Sequence, residues 1–180
     1  MTWNKYSYAL GSPLKFIDPD GQTVEIAADE RLQSAVEDWR KTPAGERSFQ
    51  IIENAVGVYK FESDDSLPEN PNKLKLGVFK ANYHVEDGAV VWDSGGTIIV
   101  RFAQVDMVSQ GVYASDEGDA AIVAHEAGGH AADYERGRQN FVKKSYKRQE
   151  RMADKHRDLV VKELRRIKKS EAREQKRKEQ

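Results

Sequence analysis

The segment from residue 125 to residue 130 reads His-Glu-Ala-Gly-Gly-His and constrains the fold more than any other part of the chain. Two histidines on a regular α-helix can bind one metal ion when they lie four residues apart, with a glutamate after the first. That spacing works because about 3.6 residues per turn place positions i and i+4 on one face. Here His125 and His130 are five residues apart, so about 140° separates them on an ideal helix. The pattern therefore predicts a distorted helix.

The pair Gly128-Gly129 lies where this distortion is needed. A π-bulge absorbs one additional residue in a helical turn and is frequent at functional sites. Each glycine costs a regular helix about 1 kcal/mol relative to alanine, but it also lowers the cost of unusual backbone torsions. We therefore predict that the helix departs from i→i+4 hydrogen bonding at these glycines and brings both histidines to one metal ion.

The chain contains no cysteine, so a metal ion must be bound by His, Asp or Glu. Two of its four histidines flank Glu126. Zinc bound by three protein ligands keeps one position for water and lowers the pKa of that water to about 7. The sequence therefore predicts Zn²⁺ as the cofactor, with His125 and His130 as ligands. Glu126 is the predicted general base, which accepts a proton from the water.

Glu150 follows His130 with nineteen residues between them, and Asp154 lies one helical turn further on. This spacing, together with the Glu-Arg-Met-Ala-Asp sequence at 150–154, resembles the E-x-x-A-D segment of the thermolysin-like zinc peptidases, the gluzincins. The resemblance implies that Glu150 is the third metal ligand. It also implies that Asp154 hydrogen-bonds the outer nitrogen of a ligand histidine. Dipeptidyl-peptidase III enzymes have a comparable H-E-x-x-x-H motif, so the additional residue is compatible with zinc.

Peptide hydrolysis also needs a donor that stabilises the tetrahedral oxyanion, which related enzymes supply as Tyr or His from outside the motif. No spacing rule selects among the four candidates in this chain, which are Tyr113, Tyr134, Tyr146 and His156. Asp133 is an alternative third ligand only if the helix bends sharply. A metzincin would need glycine and a ligand three and six residues past the second histidine, where this chain has Asp133 and Arg136.

Patterning along the chain predicts an α+β fold. Apolar residues at helical spacing from Asp29 to Trp39 predict an N-terminal helix capped by Asp29, and residues 42–45 separate it from a second short helix or turn. Alternating residues predict strands at 56–61, 75–83, 89–92 and 97–102, with a turn at 94–96. A further helix is predicted over 116–137, capped by Asp116 or Asp119.

Charge dominates the last part of the chain. Residues 143–180 contain 16 Lys and Arg against 7 Asp and Glu, a net charge of +9. Residues 1–142 contain 13 against 23, a net charge of −10. Helix formers with opposite charges near one another predict a long solvated helix from Asn140, with an apolar stripe ending near residue 167. Beyond that residue we expect a frayed basic tail.

The gluzincin resemblance implies a particular arrangement of these elements. It is a small zincin-like metallopeptidase fold with an N-terminal helix, a mixed or antiparallel sheet, an active-site helix and a long basic C-terminal helix. In zincin folds the strand before the active-site helix is usually the sheet edge that pairs with an extended substrate. This implies the same role for the strand from Thr97 to Phe102.

The first 22 residues resemble the end of the core domain of Rhs/YD-repeat proteins, which marks the border before a variable C-terminal toxin. The matching residues are Asn4, Tyr6, Tyr8, Pro13, Asp18, Pro19 and Gly21. Ser12 and Gln22 stand where the family more often has Asn and, in self-cleaving members, Leu. The resemblance implies the end of an Rhs core at 1–22, a metallopeptidase toxin domain at 23–167 and a basic tail at 168–180.

Together the two resemblances imply a zinc-dependent endopeptidase effector that hydrolyses a protein in a target cell. Such an effector is carried by an Rhs repeat shell, delivered by a secretion system, active in the target cytosol and blocked in the producer by a cognate immunity protein. No apolar run approaches the ~20 residues of a membrane helix, so no membrane partner is expected.

Two alternatives compete with this hypothesis. A toxin directed at nucleic acid would use the basic tail to neutralise phosphates. The tail region has only Phe141 and Tyr146 for stacking on bases, so nucleic acid is not the expected partner. The second alternative is an inert binding module whose metal site has decayed through the additional glycine.

Overall fold

The structure is a computed structural model that describes residues 15–17, 23–68, 74–109 and 115–179. All the residues that carry the Rhs border motif lie outside these ranges, and so does Tyr113.

The described residues form an α+β fold, as predicted. The strands are β1 (Lys15–Ile17), β2 (Thr23–Ile26), β3 (Tyr59–Ser63), β4 (Gly77–Glu86) and β5 (Ala89–Val100). The helices are α1 (Glu30–Arg40), α2 (Pro43–Glu53), α3 (Phe102–Ser109), α4 (Ser115–Val123), α5 (Ala132–Arg136), α6 (Arg138–Lys143) and α7 (Tyr146–Lys178). A π-helical segment, Ala124–Ala131, joins α4 to α5 without a break.

The five strands form one mixed sheet in the order β1-β2-β3-β5-β4. The pairs β2-β3 and β3-β5 are parallel, whereas β1-β2 and β4-β5 are antiparallel. Strand β5 is therefore interior, with Ile98 opposite Phe61 on one side and opposite Phe79 on the other. The prediction that Thr97 to Phe102 forms the edge is wrong, because β4 folds back onto β5 and takes the edge position. Phe102 itself begins α3, a helix that the sequence patterning missed.

A two-residue turn joins β4 to β5, which form an antiparallel hairpin. Asp87 and Gly88, between the two strands, both have positive φ, at 51° and 78°. Asp-Gly is a favoured sequence for such a turn, because glycine adopts positive φ without steric cost and aspartate tolerates it.

The turn predicted at 94–96 is wrong, because β5 continues through these residues. Gly95 has a φ of 92°, which favours glycine, and a Cβ there would lie 2.5 Å from the Val58 carbonyl oxygen. A Cβ on Gly96 would lie 2.5 Å from the Lys80 carbonyl oxygen. The two glycines permit close approach of neighbouring backbones beside a register shift in the β4-β5 pair, between Ala81 and Tyr83.

The first two helices agree with the sequence prediction. Asp29 caps α1, because its side chain accepts a hydrogen bond from the Leu32 backbone N–H. The next helix begins at Pro43, and its cap is the Thr42 side chain, which accepts from the Gly45 backbone N–H. Each cap satisfies one of the backbone donors that a helix leaves free at its first turn.

The helices cover one face of the sheet and enclose the core. The sheet contributes buried Val24, Tyr59, Phe61, Ile98 and Val100, and the helices contribute buried Leu32, Val36, Trp39, Phe49, Ile52, Val123, Ala127 and Val160. On the opposite face, β3 exposes Lys60 and Glu62. The core therefore lies between one sheet face and the helical layer, which places the π-helical segment directly against the sheet.

Two further expectations concern the helices of the second half. The helical run begins at Ser115, so the predictions of a cap at Asp116 or Asp119 are both wrong, and the Asp119 side chain pairs instead with Arg31 at 2.6 Å. The last helix buries Val160 and Leu164 but leaves Leu159 exposed. It continues to Lys178, past residue 167 where fraying was expected. No helix in the described part of the chain is long and apolar enough to cross a bilayer.

Candidate metal centre

The helix that carries His125 and His130 is distorted, as predicted. Residues Ala124–Ala131 are π-helical, and beyond them the Ala132 backbone N–H donates to the Ala127 carbonyl, five residues back. A π-helical turn takes in one more residue than an α-helical turn, so positions i and i+5 point in similar directions. This confirms the departure from i→i+4 bonding at Gly128-Gly129 and brings His125 and His130 side by side.

The two glycines have a different role from the predicted one. Neither has the positive φ that would require glycine. A Cβ on Gly128 would lie 2.1 Å from His156 Nε2, and a Cβ on Gly129 would lie 2.4 Å from Ala153 Cα. Both contacts are with α7, so the glycines allow this helix to pack directly against the π-helical backbone.

This close packing also brings the third predicted ligand to the histidines. His125 Nε2 lies 3.2 Å from His130 Nε2 and 3.5 Å from Glu150 Oε2. His130 Nε2 lies 3.3 Å from Glu150 Oε1. One ligand atom from each of the three residues lies within 4.8 Å of the others. The three side chains could therefore hold one metal ion.

The electrostatics of the two histidines suit this role. Burial lowers the pKa of His125, and the negative charges of Glu150 and Asp154 oppose the effect. Burial likewise lowers the pKa of His130, and the neighbouring His125 lowers it further. A lowered pKa favours neutral imidazole at neutral pH, and neutral imidazole is the form that binds a metal ion.

Asp154 lies where the gluzincin resemblance places it. Its Oδ1 is 3.3 Å from His125 Nδ1, the ring nitrogen that points away from His130 and Glu150. The same carboxylate accepts a hydrogen bond from Arg157 at 2.8 Å. A carboxylate in this position orients the imidazole ring and makes its other nitrogen a better ligand.

Glu126 is buried between the π-helical segment and β4, with 7% of its surface exposed. Burial raises the pKa of its carboxyl group to about 8, and the negative charge of Glu150 contributes to the rise. A hydrogen bond from the Phe79 backbone favours the charged form. A Cβ on Gly77 would lie 2.6 Å from Glu126 Cγ, so glycine at this position makes room for the glutamate.

The site opens into a cleft of about 460 Å³. One wall is the segment Leu74–Phe79, which includes the start of β4. The other wall comes from α4 and the π-helical segment, together with α6 and α7. From the helices the lining residues are Ile122, His125, Glu126, His130, Phe141, Tyr146, Gln149 and Glu150. The cleft therefore combines an apolar lining with a small group of carboxylates and imidazoles at one end.

The three described candidates for the oxyanion donor lie in different surroundings. Tyr146 lines the cleft and is 75% exposed, and the charge of Glu150 raises the pKa of its phenol. Tyr134 is fully buried and donates its hydroxyl hydrogen to the Asp93 carbonyl. His156 lies behind the motif helix, 3.5 Å from Ser48 Oγ and against Gly128. Only Tyr146 among these three lies in the cleft.

Asp133, the alternative third ligand, does not point to the histidines. Its carboxylate pairs with Lys144, at the end of α6. The prediction from spacing that Glu150 is the better partner for the two histidines agrees with the observed distances.

Sequence reasoning missed the residues on β4 that build the other wall of the cleft. The segment 75–83 was predicted as a strand, but nothing in its pattern showed that Gly77 and Phe79 lie against Glu126. The one signal was the glycine itself, since a glycine inside a strand often marks a close approach of another group.

Comparison with protein-family models, with curated proteins and with solved structures found no match for the chain.

Proposed function

We propose that this chain is a zinc-dependent endopeptidase with a zincin-like fold. The observation that carries the proposal is the π-helical turn, which brings His125 and His130 together with Glu150 beside them. A buried glutamate follows the first histidine, and the last strand of the described sheet, β4, lies beside it. These features supply the ligands, a base and a place for an extended peptide.

The chemistry of the three ligands supports zinc. The two imidazole Nε2 atoms lie 3.2 Å apart, and with one oxygen of Glu150 all three ligand atoms lie within 4.8 Å of one another. A set of two imidazoles and one carboxylate is also a common zinc set in hydrolases. When bound, zinc acts as a Lewis acid and makes a water molecule acidic near neutral pH.

In this proposal the ionised form of Glu126, which its raised pKa makes the minor form at neutral pH, accepts the proton of the attacking water and passes it to the departing amine. The Phe79 backbone holds its carboxylate, and Gly77 leaves the space that the side chain occupies. Asp154 keeps the His125 ring in position. Tyr146 is the residue best placed to donate a hydrogen bond to the oxyanion, because it lines the same cleft as Glu126 and Glu150.

The substrate in this proposal is an extended segment of a protein. Strand β4 is the last strand of the described sheet, and its first residues, 77–79, line the cleft. An extended peptide that adds to such an edge gains main-chain hydrogen bonds regardless of its sequence. The apolar lining of the cleft then contacts the side chains next to the cleaved bond.

We further propose that the peptidase is a toxin domain carried by an Rhs repeat shell. Support for this role comes from the border motif within the first 22 residues. It implies delivery into a target cell, action on a protein in the target cytosol and a cognate immunity protein in the producer.

Metal content tests the site first. Wild-type protein prepared with zinc and then dialysed should retain about one zinc per chain, measured by inductively coupled plasma mass spectrometry. His130→Ala and Glu150→Ala should each lose most of the metal. Glu174→Ala is the matched control, because this glutamate lies on the same helix and is exposed away from the cleft. Wild-type protein without zinc would support the inert binding module instead.

Activity tests the reaction. We expect wild-type protein to cleave an unfolded protein mixture and to be toxic when expressed in a cell. Glu126→Gln should retain zinc but lower the cleavage rate by about 10³-fold, since loss of a positioned proton acceptor typically costs 10²–10⁴-fold. Equal toxicity of wild type and Glu126→Gln would overturn the mechanism.

A further inference from the structure

The C-terminal half of α7 has a one-sided distribution of charge, which follows once the helix is known to extend to Lys178. Residues 162–178 contain nine Lys and Arg against three Glu, a net charge of +6. At about 100° per residue, six of the nine basic residues fall within a sector of about 100°. We call this set the basic stripe, and it comprises Lys162, Arg166, Lys169, Arg173, Lys176 and Arg177.

The acidic residues of the same half lie outside this sector, and two of them face the body of the protein. Glu163 accepts a hydrogen bond from the Ala44 backbone N–H at the start of α2. Glu171 lies near enough to Lys41 to raise the pKa of its ammonium group, after the larger effect of Asp38. Glu174 pairs with Lys178. The three acidic side chains thus interact with groups of the protein itself, whereas the basic stripe faces away from the protein.

All six side chains of the basic stripe are exposed. Within residues 15–17, 23–68, 74–109 and 115–179, none of the six makes an ion pair. Arg165, on the same side, does pair with Glu117 and is therefore not counted in the stripe. Six uncompensated positive charges in one row repel one another, so an anionic partner would stabilise this arrangement.

The dimensions of the basic stripe match a nucleic acid duplex. Fifteen residues separate its ends, which corresponds to about 22 Å along the helix axis. One strand of DNA carries a phosphate every 3.4 Å or so along its axis, so about six phosphates fall within that length. The major groove is about 12 Å wide and admits one α-helix with phosphates along both sides.

The chemistry of the helix argues against other anionic partners. Residues 147–180 contain no aromatic residue, so bases of a single strand have nothing to stack on. A membrane-binding helix needs an exposed apolar face opposite its basic residues. Here the apolar residues Val160, Val161 and Leu164 are buried against the protein. A protein partner would use aromatic or aliphatic anchors, which the stripe does not contain.

We propose, in contrast to the expectation from the sequence that nucleic acid is not a partner, that the basic stripe binds the phosphate backbone of double-stranded DNA without sequence preference. The stripe begins twelve residues beyond Glu150, about 18 Å away along the helix axis. The interaction therefore does not depend on the candidate metal centre or on the proposed peptidase activity.

Fluorescence anisotropy with a labelled 24-base-pair duplex of mixed sequence tests this proposal. If all six residues contact phosphates, the slope of log K against log salt should be about −5 for the wild-type chain. The variant Arg166→Gln/Lys169→Gln/Arg173→Gln should reduce the magnitude of that slope by nearly 3, at about 0.9 for each lost contact. It should also weaken binding at least tenfold at low salt.

The matched control is Lys60→Gln/Lys143→Gln/Lys147→Gln, which removes the same charge from exposed positions outside the stripe. It should retain most of the wild-type affinity and slope. Equal losses in both triple variants would overturn the assignment to the stripe. Circular dichroism of both variants checks that α7 is still helical, as expected because glutamine is a good helix former.

Three further outcomes would contradict the proposal. One is no binding of the duplex at 50 mM salt, and another is tighter binding of a 24-nucleotide single strand than of the duplex. The third is binding of phosphatidylserine vesicles without binding of the duplex, which would assign the stripe to a membrane surface. Glu126→Gln should bind the duplex as wild type does, so failure of the peptidase proposal would leave this result unchanged.

Discussion

The π-helical segment has two sides that differ in almost every property. On the cleft side it presents the polar side chains of His125, Glu126 and His130, of which Glu126 and His130 are buried and His125 is half-buried. On the packed side it presents Gly128 and Gly129, which have no side chains and touch α7 directly. The same α7 also carries Glu150 on the cleft side. The comparison shows that α7 packs directly against the segment from behind and also carries Glu150, the candidate third ligand, in front of it.

The substitution Gly129→Ala on the packed side should have the largest effect. A Cβ at this position would lie 2.4 Å from Ala153 Cα, which is backbone and cannot rotate away. Overpacking of this kind costs about 3 kcal/mol, and it should also shift Glu150 away from the histidines. We expect the free energy of unfolding in urea and the zinc content to fall together.

Gly137→Ala is the control for this variant. A Cβ at Gly137 would find only ordinary contacts at 3.9 Å, and its φ of −172° is open to any residue. Gly129→Ala should therefore unfold at a lower urea concentration than Gly137→Ala. If the two variants unfold at the same concentration, the contact of Gly129 with α7 does not control the position of Glu150 on the cleft side.

Removal of a ligand on the cleft side should have the next largest effect. Zinc at 100 times its dissociation constant should stabilise wild-type protein by about 2.7 kcal/mol, because only the folded state brings the three ligands together. Glu150→Ala should lose most of this stabilisation, whereas Glu174→Ala should retain it. The measurement is urea unfolding with and without zinc. Equal stabilisation of both variants would show that Glu150 is not a ligand.

His156, on the packed side, makes the free energy of unfolding depend on pH. Burial lowers its pKa from the ordinary value of 6.5, and together with the positive charges of Arg136 and Arg47 it brings the pKa to about 4. The unfolded chain therefore binds a proton as pH falls through 6.5, whereas the folded protein does not until about pH 4. The contribution of His156 to the free energy of unfolding is therefore fully present above pH 6.5. As the pH falls from 6.5 to 4, about 2 kcal/mol of it is lost.

His156→Gln should remove this contribution. We expect the free energy of unfolding to fall by about 2 kcal/mol less between pH 7 and pH 4 in this variant than in wild type. His84→Gln, which replaces an exposed histidine of the β4-β5 hairpin, should behave as wild type. Identical pH profiles for wild type and His156→Gln would contradict the prediction.

The smallest expected effect belongs to Gly77→Ala, on the wall opposite the motif helix. The added Cβ would lie 2.6 Å from Glu126 Cγ, a side chain that can move aside. We expect kcat/KM for peptide hydrolysis to fall about tenfold, or 1.4 kcal/mol, with zinc content unchanged. Unchanged kcat/KM would show that Gly77 does not position Glu126, and a loss of zinc would show that it acts on the ligands instead.

Much of the candidate site was predictable because its signals are local. The five-residue spacing of the histidines predicted the π-helical turn, since a regular helix cannot point both rings in one direction. The distance in sequence to Glu150 and Asp154 predicted their roles through the resemblance to gluzincins. The cap at Asp29 was predictable for a similar reason, because a cap acts on backbone groups two or three residues away.

The failures of prediction share a different cause. Gly95-Gly96 was interpreted as a turn, although these residues lie inside a strand that two neighbouring strands approach closely. The strand from Thr97 was expected at the edge of the sheet, which β4 occupies instead. In each case the deciding contact comes from a segment distant in sequence, and periodicity carries no information about such a neighbour.

The sequence by itself determined the candidate histidine pair, the distortion of its helix and the charge of the C-terminal half, because these depend on residue types and on spacing within one element. Only the tertiary structure decided which glycines serve close packing, which strand forms the wall of the cleft and which way the basic stripe faces. Those properties depend on how α7 and β4 pack against the π-helical segment. Packing of this kind is set by shape complementarity between segments that are far apart in the chain.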